Sequence, residues 1–214
     1  MPRPYLYVLA VAATLSGCVT VNEQLLPKRS TPPPQAKGVV EFDVGEVKQL
    51  FNDEASPGGM VSTHTAVDSF GKGMLNRWKS TQLIDDYGHA GDLKSSPDYR
   101  LTLSGNVKEQ GSILGAVATG LTLWVLPSST TMTYELTARF TRVAGNQTYT
   151  VPIRNASTTW LQILLLPALP FGGMGSSHMI EDTADYLYSE LHKQGAFDAK
   201  PRPVPASANA TRQP

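Results

Sequence analysis

Three stretches of the chain alternate apolar and polar residues over ten positions or more, and this pattern constrains the fold most. In 99–108, Tyr99, Leu101 and Leu103 share one face. In 131–142, Met132, Tyr134, Leu136, Ala138 and Phe140 do so, and in 147–157, Tyr149, Val151 and Ile153. A period of two means a strand buried on one side and wet on the other. The turn 144–147, Ala-Gly-Asn-Gln, ties the last two into a hairpin. A fourth alternating stretch, 39–47, turns Val40, Phe42 and Val44 inward.

Two segments change to helical spacing. In 62–84, Val67, Phe70, Met74 and Trp78 form one stripe. Thr65 and Asp68 suggest a capping box at its start, and Gly71 and Gly73 weaken it by about 1 kcal/mol each. In 176–195, Ile180, Ala184, Leu187, Tyr188 and Leu191 form the stripe. Ser176 or Ser177 is expected as N-cap, Glu181 and Asp182 lie in the expected first turn, and Gly195 follows as C-cap. The order strand, helix, three strands, helix predicts an α+β two-layer sandwich. In it, two helices cover one face of a largely antiparallel sheet of about four strands.

Two apolar runs interrupt this soluble pattern. One covers 112–126 and includes Leu121, Leu123, Trp124 and Leu126. The other covers 160–171 and includes Trp160, Leu164, Leu165 and Phe171. Fifteen residues are too few to span a bilayer, and Pro167 and Pro170 break the second run. Alternating strand direction brings both runs out at the same end of the sheet. Either they fold into the core, or they form an apolar tip that contacts a membrane or an apolar partner. Gly111 and Gly115 make a G-x-x-x-G that hints at helix contact.

The N-terminal residues speak about location. Arg3 is followed by an apolar segment over 5–15, of signal-peptide length. Leu15-Ser16-Gly17-Cys18 follows, and Cys18 is the chain's one cysteine. This tetrad resembles the lipobox of bacterial lipoproteins. The resemblance implies cleavage before Cys18 and a diacylglycerol on its thiol. Val19, where inner-membrane lipoproteins of that class carry Asp, implies export to the outer membrane, facing the periplasm. Element order and lipobox together loosely resemble small sandwich lipoproteins such as the lipopolysaccharide-transport lipoprotein.

The expected organisation is a signal peptide at 1–17 and a lipidated, Pro-rich tether at 18–37. One domain at 38–198 and a disordered tail at 199–214 follow. Fully extended, the tether reaches on the order of 60 Å.

Catalytic signals are sparse. His64, His89, His178 and His192 make no metal-ligand pair, and no G-x-S-x-G elbow occurs. Asp85-Asp86 reads as solvated loop, and Gly172–His178 lacks the Lys of a phosphate-binding loop. Lys plus Arg and Asp plus Glu are balanced at 18 each, so nothing draws the chain to nucleic acid. The expectation is a non-enzymatic envelope lipoprotein without cofactor. It would hold the membrane through its lipid and use the apolar runs on lipid or an envelope membrane protein. The alternatives are an accessory subunit of an envelope transport machine and a periplasmic hydrolase.

Overall fold

A computed structural model describes residues 17–198, apart from 24, 29–31, 33–36, 56–61, 123–127 and 163–173. It is an α+β sandwich. The strands are β1 (Gly17–Asn22), β2 (Val39–Phe51), β3 (Glu54–Ala55), β4 (Asp86–Gly88), β5 (Tyr99–Gly111), β6 (Ser128–Arg142) and β7 (Gln147–Gln162). The helices are α1 (Thr63–Ser80), α2 (Ile113–Leu121) and α3 (Met174–Lys193).

The seven strands form one sheet in the order β1-β7-β6-β5-β2-β3, with β4 also on β2. The expected sheet of about four largely antiparallel strands is therefore corrected in number and in direction. β2 runs parallel to both β5 and β4. A parallel neighbour needs a long crossover, and α1 supplies it between β2 and β5. The three strands missed by pattern are β1, β3 and β4, of six, two and three residues. They are too short to display a period, and their partners hold them in place. β3 folds back through Asn52 and Asp53, both at positive φ, in a two-residue hairpin turn.

The strands found by alternation pack as read. Val40, Phe42 and Val44 are buried, as are Leu101, Leu103, Leu136, Ala138, Phe140, Val151 and Ile153. α1 and α3 lie together on that face, and the stripe Val67, Phe70, Met74, Trp78 is buried throughout. Gly71 earns its place here: a Cβ on it would sit 2.2 Å from Cζ of Phe42. The helix-weakening glycine is what lets α1 lie close on β2.

The expected helix starts shift. Ser62, not Thr65, caps α1, and its hydroxyl accepts the Thr65 N–H at 3.2 Å. α3 begins at Met174, so Ser176 and Ser177 fall inside it, and Glu181 and Asp182 lie beyond its first turn. Its C-terminal end matches expectation. Gly195 has φ 80°, and the Ala196 N–H reaches the Leu191 carbonyl at 3.0 Å, closing a Schellman turn.

Residues 18–22, expected as the start of a tether, instead form β1 on the free edge of β7. Cys18 pairs with Leu161, Val19 with Trp160 and Asn22 with Ser157. β7 runs to Gln162, five residues past the alternating pattern, and so offers an edge there. Glu23 continues the contact: its N–H donates to the Ala156 carbonyl, and its carboxylate accepts the Thr158 hydroxyl at 2.6 Å.

Candidate functional site

The end of the sheet where β5 and β7 finish and β6 begins gathers the features that the apolar runs suggested. Gly111 pairs with Thr130, and Ser128 pairs with Leu161, so both runs leave from this end. The described part of the first run folds as α2. Ser112 caps it by accepting the Gly115 N–H at 2.9 Å, and the Thr122 hydroxyl closes it on the Ala118 carbonyl at 2.8 Å. Gly111 thus ends a strand while Gly115 opens a helix, and the pair is no helix-contact motif.

α2 carries no charged residue, and Leu121 is 81% exposed and Val117 54%. Trp160 is 43% exposed, whereas Trp78 is fully buried. None of the described α2 side chains belongs to the main core. Leu123, Trp124, Leu126, Leu164, Leu165 and Phe171 lie outside the described residues, as do Leu15 and Ser16. Gly17 and Cys18 open β1, at this same end.

Between helices and sheet, a cleft of about 510 Å³ opens here. α1 contributes Ala66, Ser69 and Phe70, and α3 contributes Met179 and Ile180. Thr130, Met132 and Tyr134 of β6, Ser157 and Thr159 of β7, and Thr20 of β1 form the floor. No charged side chain lines it. Phe70 stacks on Tyr134 with ring centres 4.7 Å apart, and the Tyr134 hydroxyl points to the Met132 sulfur at 3.2 Å. Burial raises the Tyr134 phenol above its ordinary pKa, so the floor stays neutral. Sequence reading missed this cleft. Its faint trace is the run of hydroxyl side chains that ends the inward face of β6 and β7.

Elsewhere among the described residues, several side chains with catalytic potential are engaged. His89 Nε2 lies 2.9 Å from Oδ1 of Asp68, and Nδ1 lies 2.8 Å from the Phe42 carbonyl oxygen. Each ring nitrogen thus already faces a protein oxygen. The pair pins the 89–98 loop to α1 and β2. Burial pushes Asp68 up, but hydrogen bonds and charge from Lys72, 2.8 Å away, and from His89 outweigh it and hold the carboxyl below its ordinary value.

Asp86 binds Lys79 at 2.7 Å, and that contact, with the Tyr87 N–H, lowers it. Asp85 and Asp86 therefore form no carboxylate pair. His64 and His178 are exposed. Among the described residues, no three His, Cys, Asp or Glu side chains come together in a way that could hold a metal. Asn155 is fully buried and donates to the Thr183 hydroxyl at 3.0 Å.

No protein-family model matches the chain, and no curated protein matches it by sequence. Among solved structures, the chain is similar to a neuraminyllactose-binding hemagglutinin homolog from Helicobacter pylori. Identity is 10%, coverage 81% of this chain and 91% of that one, and the TM-score 0.35. It is also similar to dodecameric PelC from Paraburkholderia phytofirmans, at 13% identity, 74% and 96% coverage and a TM-score of 0.30. At these scores, neither likeness carries an argument.

Proposed function

We propose that the protein is a non-enzymatic lipoprotein of the outer membrane, facing the periplasm. It binds or assembles at the membrane surface with the apolar end of its sheet. One observation carries this reading. β1 sets Cys18 in register with Leu161, on the same sheet end as Trp160 and α2. A lipid on Cys18 would therefore enter the bilayer beside exposed apolar side chains, not at the far end of a slack tether. At about 0.8 kcal/mol per buried methylene, two or three acyl chains hold a protein stably. The anchor and the apolar end then favour one orientation. No helix among the described residues is long and apolar enough to cross a membrane, so contact would be at the surface.

The test combines labelling with fractionation. Wild-type protein should take up radiolabelled palmitate and sediment with the outer membrane. Cys18→Ala should remain an unprocessed, unlabelled precursor. Palmitate on the Ala variant would overturn the anchor, and recovery of the wild type with the inner membrane would overturn the address. An accessory role in a transport machine would instead give a stable multiprotein complex in detergent, dependent on Val117 and Leu121.

A further inference from the structure

We propose that the cleft beside β1 holds one acyl chain of the lipid carried on Cys18. This rests on the lipoprotein reading and deepens it by giving part of the anchor a place inside the fold.

Three observations point to an acyl chain. The cleft is lined by Phe70, Met132, Tyr134, Met179 and Ile180 without a single charge, so it suits a neutral apolar guest. Two of these are methionines, whose unbranched side chains repack around a flexible chain at little cost. Its volume of about 510 Å³ lies within the range of roughly 300–1,000 Å³ usual for small-ligand sites.

A fourth observation points to the source. Thr20 lines the cleft, and Cys18 stands two residues earlier in the same strand, about 6–7 Å along it. That backbone spacing puts the cleft within reach of an acyl chain on Cys18. Moving a methylene out of water gains about the same in an apolar cleft as in a bilayer. One chain can therefore sit in the protein while its neighbours stay in the membrane, which fixes the domain rigidly against the surface.

The test uses cells fed a fatty acid with a photoreactive diazirine near its methyl end. These cells express the full chain and are irradiated intact. Peptide mapping should find the Cys18 peptide joined to peptides bearing Met132–Tyr134 or Met179–Ile180. Ala66→Phe fills the cleft and should lower that yield about tenfold, the loss expected when roughly two methylenes are denied burial. Its melting temperature should be unchanged, and Thr159→Phe serves if Ala66→Phe melts early. An acylated Cys18 whose links all lie outside the cleft overturns the proposal and leaves the lipoprotein reading standing. Cleft peptides carrying phospholipid instead of the Cys18 chain overturn it too. An intact mass with unmodified Cys18 overturns both readings together.

Discussion

Along β6 the inward positions read Phe140, Ala138, Leu136, Tyr134, Met132, Thr130, and along β7 they read Tyr149, Val151, Ile153, Asn155, Ser157, Thr159. The same strands thus pass from aromatic rings at the hairpin end to hydroxyls at the other. α1 and α3 cover both ends and change with them, from Trp78 and Tyr188 to Ala66, Ser69 and Met179. At the hairpin end Trp78, Tyr99, Phe140, Tyr188 and Phe197 fill the space edge-on and stacked, and the Trp78 indole N–H donates to the Ala184 carbonyl at 2.8 Å. At the other end the same layers leave a cleft. The aromatic packing is concentrated at one end, and the other end is left open. This contrast can be broken or sharpened by experiment.

The largest effect belongs to the filled end. Trp78→Ala removes a fully buried ring and the hydrogen bond to Ala184. It should cost about 3–5 kcal/mol in urea unfolding followed by circular dichroism. A cost no larger than that of a surface change would mean the aromatic cluster is not the stabilising centre.

Next comes pH. Burial, with a smaller contribution from the charge of Tyr99, pushes the Tyr188 phenol up to about 12 from its ordinary 10.0. The folded pKa is the higher one, so the unfolded chain loses its proton first. The stabilisation is fully present below pH 10 and is lost as pH rises toward 12, by roughly 2–3 kcal/mol. Tyr188→Phe should flatten that alkaline decline. Its buried hydroxyl has no partner among the described residues, so the variant should cost little at neutral pH. An unaltered alkaline slope would show that other groups control it.

How far the sequence revealed this contrast depends on the kind of signal. Period-two alternation exposed β2, β5, β6 and β7 because each carries enough inward residues to show it. β1 needs the edge of β7 to exist, and five residues from Cys18 to Asn22 cannot announce a partner some 140 positions away. The parallel pairing of β2 with β5 was hidden for a like reason, since alternation is blind to direction. Gly71 read as a weakness of α1 until Phe42 was found against it. The cleft was least legible, because it is a volume left over by five elements, and Thr20, Ser69 and Thr159 look like ordinary strand and helix residues one at a time. The exposed apolar surface was half legible: the composition of 112–126 announced it, but only the packing separates Leu121 in water from Leu136 in the core.

A smaller effect is expected at the open end. Met132 is partly buried on the cleft floor, so Met132→Ala should cost only about 1 kcal/mol, against 2–5 for a fully packed methionine. Chemical denaturation at neutral pH would measure it. A loss in the upper range would mean that the floor is covered in solution, and the difference between the ends would shrink accordingly.

The smallest effect on stability, and the most telling for function, concerns α2. Val117 and Leu121 already face water, so replacing both with Ser forfeits almost no burial. The double variant should unfold within about 0.5 kcal/mol of wild type, as surface substitutions do. Its behaviour at a membrane should differ. In the mature, Cys18-acylated protein reconstituted in vesicles, Trp160, at the same end of the sheet as α2, should be quenched by brominated acyl chains if this end meets the bilayer. Trp78, sealed in the core, should not be. Trp78→Phe should therefore preserve the quenching, and Val117→Ser with Leu121→Ser should reduce it, because Ser gains nothing from leaving water and Leu gains about 2 kcal/mol. A double variant that unfolds would place α2 in the core after all. A stable variant with undiminished quenching would show that α2 adds nothing to the membrane contact and reduce it to a connector.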